Sequence, residues 1–419
     1  MAVGTEAVTV NQFYLGNCLQ VLKSWPDNFI HMAVTSPPYY SLRDYKIGMA
    51  VWDEEGPCEH EWTDYVRPGK GGGHTGIVHR RSISPYSSVD ATVHGFCSKC
   101  PAWRGQLGLE PTLEMYIRHL VQIFREVRRC LRQDGTLWVN IGDSYAGSGK
   151  GWATSEYKDV LPKFKLGENG IKEKDLMGVP WALAFALRAD GWYLRSEILW
   201  FKENCVPESV KDRPTRAHEQ IFLLAKTKSY FYDLDAIREK NKGEQREVPI
   251  TENGSGTYQV LGKNKRTIWR IMAGTFNKYG AGTRTPGGVT HHAAFPEELI
   301  EPCIQAGTCE AGVCFDCGAP MKRKVTVVEG ATDEPGIDDD IMDEAPADEP
   351  TLSLGWVRGC ACPTDKTRPA VVLDMFMGTG TTAIVARKNG RDFLGIDASP
   401  NFIDSARARV EHTRVQDDI

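Results

Sequence analysis

The sequence predicts an α/β protein with a mostly parallel, doubly wound sheet and helices on both faces. Three observations carry that prediction. Strand-like and helix-like stretches alternate along much of the chain. The C-terminal stretch VVLDMFMGTGTTAIVARKNGRDFLGID reads as strand, glycine loop, helix and strand. The stretch HMAVTSPPYY, residues 31–40, reads as a buried strand that breaks at two prolines, which cannot continue a hydrogen-bonded ladder.

Residues Asn11 to Leu22 predict an opening strand and a short helix, and Ile30 to Thr35 a second strand. Residues Lys46 to Gln106 form a Gly-, Ser- and His-rich insertion without a clear period. A helix is predicted over Thr112 to Arg132. There Leu113, Tyr116, Ile117, Leu120, Phe124, Val127 and Leu131 share one face, Thr112 is a start signal and Gly135 a stop. Thr136 to Tyr145 predicts a buried strand, Gly147 to Lys174 a polar loop and Pro180 to Ala189 a helix. Strands follow in YLRSEILWFK and EQIFLLAKT, and a short helix over Phe295 to Ala306.

The net charge is −5, yet the stretch from Asp333 to Glu349 holds nine acids and no bases. Without it, 50 bases face 46 acids, so the remainder is mildly basic and compatible with a nucleic-acid partner. The acidic stretch itself, with its flanks 330–350, reads as a disordered loop. No segment approaches the roughly 18 consecutive apolar residues of a membrane helix, and MAVGTEAVTV lacks a signal-peptide pattern. A cytoplasmic protein is expected.

Twelve cysteines in such a chain favour metal sites over disulfides. Cys58 and His60 with Cys97 and Cys100 give one set of two close pairs. Cys314 and Cys317 with Cys360 and Cys362 give another. Each set offers four N/S ligands, as closed structural zinc sites require. His74, His79 and His94 compete for the first site and Cys309 for the second.

In the glycine loop, Gly378 and Gly380 permit close backbone approach, Thr381 and Thr382 open a helix, and Asp397 ends the next strand. There an acid accepts ribose hydroxyls of a nucleotide-like ligand. The loop is neither G-x-G-x-x-G nor a P-loop. LDMFMGTGTT, with Asp374 and Phe376, resembles the S-adenosylmethionine (SAM) loop of DNA amino-methyltransferases. TSPPY resembles their catalytic signature, here Ser36, Pro37, Pro38 and Tyr39. The signature precedes the cofactor loop, as in the permuted β class. The blocks GVPWALAFALRADGWYLRSEILWFKEN, DRPTRAHEQIFLLAK and HHAAFPEELIEPCI resemble further parts of the family. Met375 departs from the pattern, which often has proline there.

The resemblance implies a Rossmann-like SAM-dependent methyltransferase sheet, circularly permuted, to which the cysteine spacing adds zinc-binding insertions. It divides the chain into core (1–45), zinc-binding insertion (46–106), core (107–234), target-recognition region (235–292), core helix (293–308), zinc-ribbon-like module (309–363) and SAM-binding core (364–419). The resemblance implies double-stranded DNA as the substrate. Ser36 Oγ and the Pro37 carbonyl would accept the N–H groups of an exocyclic amine and free its lone pair for attack, while Tyr39 stacks on the flipped base. Serine at the first position is commonly associated in the family with cytosine N4, and aspartate with adenine N6. Cytosine N4 is therefore expected, with adenine N6 the alternative.

Arg80, Arg81, Lys263, Lys265, Arg266 and Arg270 are the candidate DNA contacts. C5-cytosine chemistry would need a cysteine nucleophile, but Cys303 sits on an apparent amphipathic helix and reads as core. A zinc-stabilised nucleic-acid-binding protein with a degenerate methylase core is the alternative from another class, and RNA the alternative substrate. His218 and Glu219, ahead of QIFLLAK, are candidate helpers at the base pocket. A bacterial or phage setting, a monomer or homodimer, and a cognate restriction endonuclease complete the expectations.

Overall fold

The computed structural model describes residues 8–40, 49–66, 93–146, 170–239, 247–249, 257–259, 263–273, 283–284, 290–291, 295–327 and 351–413. The chain opens with β1 (Gln12–Leu15), α1 (Cys18–Lys23) and β2 (Ile30–Thr35). An inserted unit follows: β3 (Ala50–Trp52), β4 (Trp62–Val66), β5 (Val93–Cys97) and β6 (Trp103–Gly105). Next come α2 (Leu113–Cys130), β7 (Leu131–Ile141), α3 (Val179–Ala189), β8 (Tyr193–Phe201) and β9 (His218–Ala225). The middle of the chain holds β10 (Glu247–Pro249), β11 (Thr257–Gln259), β12 (Ile268–Arg270), β13 (Thr283–Arg284) and β14 (Thr290–His291). After α4 (Glu297–Gly307) come β15 (Val313–Cys314), β16 (Lys322–Val327), β17 (Thr351–Val357) and β18 (Thr367–Arg368). The chain returns to its core with β19 (Val371–Asp374), α5 (Thr381–Lys388), β20 (Asp392–Asp397) and α6 (Pro400–Glu411).

Eight strands form one sheet in the order β1-β20-β19-β2-β7-β9-β8-β12. All neighbours are parallel except at β9, which runs antiparallel to both β7 and β8. The sheet is the doubly wound arrangement expected. Its permutation is visible in the pairing of β2 with β19, strands whose facing residues lie some 340 positions apart, Val372 opposite Met32. One face packs on α1, α2 and α3 through residues such as Leu120, Phe124 and Leu183. The other packs on α4, α5 and α6 through Leu299, Ile384 and Ile403. No helix among the described residues is long and apolar enough to cross a membrane.

Helix α2 forms where its apolar face predicts, with Thr112 Oγ1 accepting from the Met115 N–H as N-cap. It ends at Cys130, well short of Gly135, because the residues leading into β2 capture its last carbonyls. Asn28 N–H donates to Arg129 O and Phe29 N–H to Cys130 O. Leu131 is therefore already extended, and β7 begins five residues before the predicted Thr136. The insertion, which shows no period in sequence, contains a four-stranded antiparallel sheet in the order β3-β6-β5-β4. The region 235–292 contributes its Ile268–Arg270 segment to the edge of the main sheet, anchored by buried Trp269. The acidic loop 330–350 lies outside the described residues, as do Arg80 and Arg81 and most of the Gly147 to Lys174 loop.

A buried histidine helps seat the second cysteine-rich module at the amino ends of the parallel strands. His31 Nδ1 accepts from the Val371 N–H at 2.9 Å, and its Nε2 lies 3.0 Å from Gly318 O. Both bonds are satisfied only by the neutral ring with its proton on Nε2. Burial, then the charge of Arg132, lower its pKa to about 4 from 6.5. A histidine depressed in this way contributes stability above its unfolded pKa, and that contribution is lost as pH falls towards the folded value. Between pH 7 and pH 4 the protein is predicted to lose about 3 kcal/mol that His31→Gln does not lose. Urea denaturation of both proteins across that range measures the difference. Parallel stability curves would exclude this role for His31.

Candidate active site

The parallel topology brings the ends of five strands to one edge: Thr35 of β2, Asp374 of β19, Asp397 of β20, Ile141 of β7 and Phe201 of β8. Because β9 runs the other way, its first residues, His218 and Glu219, arrive at the same edge. In open α/β sheets ligands bind outside the carboxyl ends of the strands, where the strand order reverses.

One buried carboxylate joins the two motifs found in sequence. Asp374 accepts from Thr35 Oγ1 at 2.6 Å, from Thr382 Oγ1 at 2.7 Å and from the Phe376 N–H at 3.0 Å. Thr35 immediately precedes Ser36, and Thr382 lies in the first turn of α5. Burial raises the Asp374 pKa to about 6 in spite of its three donors. The adjacent Asp397 accepts from the N–H of Gly378 and of Ser399, each at 2.8 Å, and burial raises its pKa as well. Those two bonds leave further lone pairs for hydroxyl groups of a bound nucleoside. With the uncapped first turn of α5 beside it, the loop offers acceptors for the ribose hydroxyls of SAM and free N–H groups for its carboxylate.

Gly380 is also required by packing. Gly380 has φ +86°, and a Cβ there would lie 2.8 Å from Ala406 Cβ. Its missing side chain is demanded by α6. Thr382 likewise points inward to Asp374.

The tetrad that follows β2 is held from three sides. The Tyr116 hydroxyl donates to Pro38 O at 2.7 Å. Gly108, with φ +89°, lies so close that a Cβ would sit 3.2 Å from Tyr39 O. Gly142 lies against the Tyr39 ring, where a Cβ would approach Cε2 to 2.6 Å. The Tyr39 hydroxyl donates to Glu219 Oε2 at 2.7 Å and lies 3.2 Å from Asn140 Oδ1. Lys202 Nζ pairs with the other Glu219 oxygen and sits 4.5 Å from the centre of the Trp200 ring. Ser36 is half-buried beside this polar group. Glu219 is thus a partner of Tyr39, whereas Asn140, Lys202, Tyr116 and Thr35 are site residues that sequence reading missed. Thr35 opens the TSPPY signature, whereas only placement near a strand end or on α2 signals the other three.

Both cysteine sets assemble. The donor atoms of Cys58, His60, Cys97 and Cys100 all lie within 4.8 Å of one another, as do those of Cys314, Cys317, Cys360 and Cys362. In the first set Cys58 Sγ and Cys97 Sγ are 3.9 Å apart, and Cys100 Sγ and His60 Nδ1 3.5 Å. Tetrahedral zinc with ordinary bond lengths gives about 3.8 Å for S···S and about 3.5 Å for S···N. His60 also turns Nε2 to Glu54 Oε1 at 3.1 Å, the carboxylate support usual for a metal-bound imidazole. In the second set the Cys317 N–H leads in lowering the Cys314 thiol to about 7. The competitors stand outside these groups. His94 stacks on Trp103, and Cys309 is buried with its thiol pushed up to about 11. His74 and His79 lie outside the described residues.

Among the candidate DNA contacts, Lys263, Arg266 and Arg270 are exposed and Lys265 half-exposed. Arg266 pairs with Glu239 at 2.9 Å, Lys265 lies over Trp269, and Arg270 lies over Phe201. Cys303 is fully buried inside α4, its Sγ 3.4 Å from Leu299 O and its thiol pushed far up by burial. It is a core residue, as read from sequence.

The fold and this edge define a methyltransferase of the Rossmann-like class. The N6_N4_Mtase family, described as DNA methylase, matches residues 30–318 and 366–408. The chain belongs to that family and is a SAM-dependent DNA amino-methyltransferase. It is 32% identical over 399 residues to the type II methyltransferase M.Cfr9I of Citrobacter freundii, covering 94% of this chain and 86% of that one. It is 34% identical over 313 residues to the type II methyltransferase M.SmaI of Serratia marcescens, covering 74% and 79%. Among solved structures the PvuII DNA methyltransferase (cytosine-N4-specific) shares the fold with a TM-score of 0.50 and 14% identity, covering 99% of this chain and 90% of that one.

The Asp374 bridge predicts a pH dependence of SAM affinity. Calorimetric titration is expected to show affinity constant well above pH 6 and falling as pH drops through it, as the protonated carboxyl can no longer accept from all three donors. Asp374→Asn should bind roughly tenfold more weakly at pH 8, the loss of one charged hydrogen bond, and show no inflection near pH 6. An inflection that survives the substitution would assign the titration to another group.

Proposed function

We propose that this chain methylates the N4 amine of a cytosine flipped out of duplex DNA, with Ser36 and the Pro37 carbonyl as the acceptors that orient the amine. SAM, when bound, supplies an electrophilic methyl group on a positively charged sulfur. The observation that carries the reading is the Asp374 bridge, which fixes the tetrad strand and the glycine loop to one carboxylate. Asp374, Phe376, Gly378, Gly380, Thr381, Thr382 and Asp397 form or brace the cofactor pocket. Ser36, Pro37, Pro38 and Tyr39 form the base site.

The chemistry follows from the chain's own groups. The exocyclic amine is a poor nucleophile because its lone pair is delocalised into the ring. Acceptors aimed at its two N–H groups hold it out of conjugation and raise electron density on nitrogen. Pro38 O is occupied by Tyr116, which leaves Ser36 Oγ and Pro37 O for the amine. Tyr39, fixed by Glu219 and Gly142, presents its ring as a stacking surface. The transfer then rests on positioning and electrostatics without a covalent enzyme intermediate. Serine in place of aspartate at position 36 favours cytosine on the family resemblance.

The two cysteine sets are proposed as structural zinc sites that hold the insertion and the C-terminal module to the core. Each has four ligands and so no open position for catalysis. Lys263, Lys265, Arg266 and Arg270 are proposed DNA contacts, with Arg270 and Lys263 more available than Arg266, whose charge Glu239 meets. The chain's type II methyltransferase relatives support a restriction–modification role with a cognate endonuclease.

Nucleoside mass spectrometry of DNA incubated with enzyme and SAM tests the base assignment. N4-methylcytosine is expected; N6-methyladenine would overturn the assignment and keep the acceptor mechanism. Ser36→Ala should lower kcat on the order of 10²-fold with little change in SAM affinity, since it removes one acceptor used in the transition state. Elemental analysis should find about two zinc ions per chain. Metal-free protein that folds normally would refute both sites.

A further inference from the structure

A buried imidazole lies between two carboxylates where the inserted sheet meets the core. His119, on α2 and fully buried, places Nδ1 2.9 Å from Glu110 Oε1 and Nε2 3.0 Å from Asp53 Oδ2. The rings of Trp52 and Trp103, from β3 and β6, stack on it with centroids at 4.7 and 5.6 Å. Asp53 is further bound by Arg118 at 2.6 Å and Gln122 at 2.8 Å. Glu110 is also fully buried, and its second oxygen accepts from the Gly108 N–H at 2.7 Å.

Gly108 is the residue packed behind the tetrad. A Cβ on it would lie 3.2 Å from Tyr39 O and 3.3 Å from both Pro38 Cβ and Pro38 O. Its φ of +89° is left-handed, so the turn is held in a conformation that few other residues adopt. Tyr116, one turn before His119 on the same helix, donates to Pro38 O. Helix α2 therefore reaches the tetrad twice, directly through Tyr116 and indirectly through His119, Glu110 and Gly108. A buried carboxylate stripped of its partner is strongly destabilising, so the three charged groups keep their places together.

We propose that Asp53, His119 and Glu110 are positioning residues for methyl transfer, clamping Gly108 against Pro38 and Tyr39 and so fixing the acceptors of the tetrad. This rests on the methyl-transfer reading of Ser36 to Tyr39. It also joins the first cysteine set to turnover. Asp53 is followed by Glu54, the support of His60, and Cys97 ends β5, the strand paired with β6 and its Trp103.

The test uses the full chain with its DNA substrate, comparing wild type with Glu110→Ala, Glu110→Gln and Gly108→Ala. Glu110→Gln keeps an acceptor for the Gly108 N–H; Glu110→Ala removes it; Gly108→Ala pushes on the tetrad and leaves the charges alone. Glu110→Ala and Gly108→Ala are expected to lower kcat roughly tenfold to hundredfold, the effect of displacing reacting groups by less than an ångström or so. SAM affinity by calorimetry should stay near that of wild type, and Glu110→Gln should recover most of kcat. Wild-type kcat in folded Gly108→Ala or Glu110→Ala would overturn the proposal, as would losses that merely follow the folded fraction seen by circular dichroism. If Glu110→Ala does not fold, Gly108→Ala decides alone. A wild-type enzyme that makes no methylated base would instead overturn the underlying reading.

Discussion

The site depends on one carboxylate that water does not reach. Asp374 is fully buried, and burial alone would leave it a liability of several kcal/mol. Three donors hold it: one from the strand that launches the tetrad, one from the helix that follows the glycine loop, and one from the loop itself. Two motifs separated by more than 300 residues are thereby fixed to within the length of a hydrogen bond. The methyl donor and the target amine must meet in line, and a group shared by both halves is a direct physical way to set that distance.

The sheet explains why the permuted order changes nothing at the site. β2 and β19 are neighbours in space whichever comes first in the chain, and both end at the same edge. The antiparallel β9 adds a consequence. It carries Glu219 to that edge, opposite Lys202 at the end of β8, so a paired charge stands behind the Tyr39 hydroxyl. The cysteine-rich insertions attach at different places. The first meets the core at α2, beside the tetrad. The second is seated at the far ends of the strands, against His31.

Much of this was legible in sequence. Period-3.6 burial marked α2, the prolines marked the exit from β2, and paired cysteine spacing marked both clusters, because each signal is local. The contacts that organise the site are not local. Tyr39 meets Glu219 across 180 positions and Thr35 meets Asp374 across 339, and no spacing rule encodes such pairs. Composition misled in the insertion, where glycine and serine hid a four-stranded sheet. At Gly380 the packing of Ala406 adds a reason for glycine that the sequence does not reveal. The early end of α2 came from tertiary capture of its carbonyls by Asn28 and Phe29, which outweighed the stop signal at Gly135.

The central claim, that one carboxylate couples the two halves of the site, is tested most directly by a double-mutant cycle. Thr35→Val and Thr382→Val would be made singly and together, and methylation rates compared under identical conditions. The account predicts a coupling energy on the order of 1 kcal/mol or more, the double variant losing less than the sum of the single losses, because either change already frees the carboxylate. Strict additivity would contradict it and leave Asp374 as two unrelated hydrogen bonds.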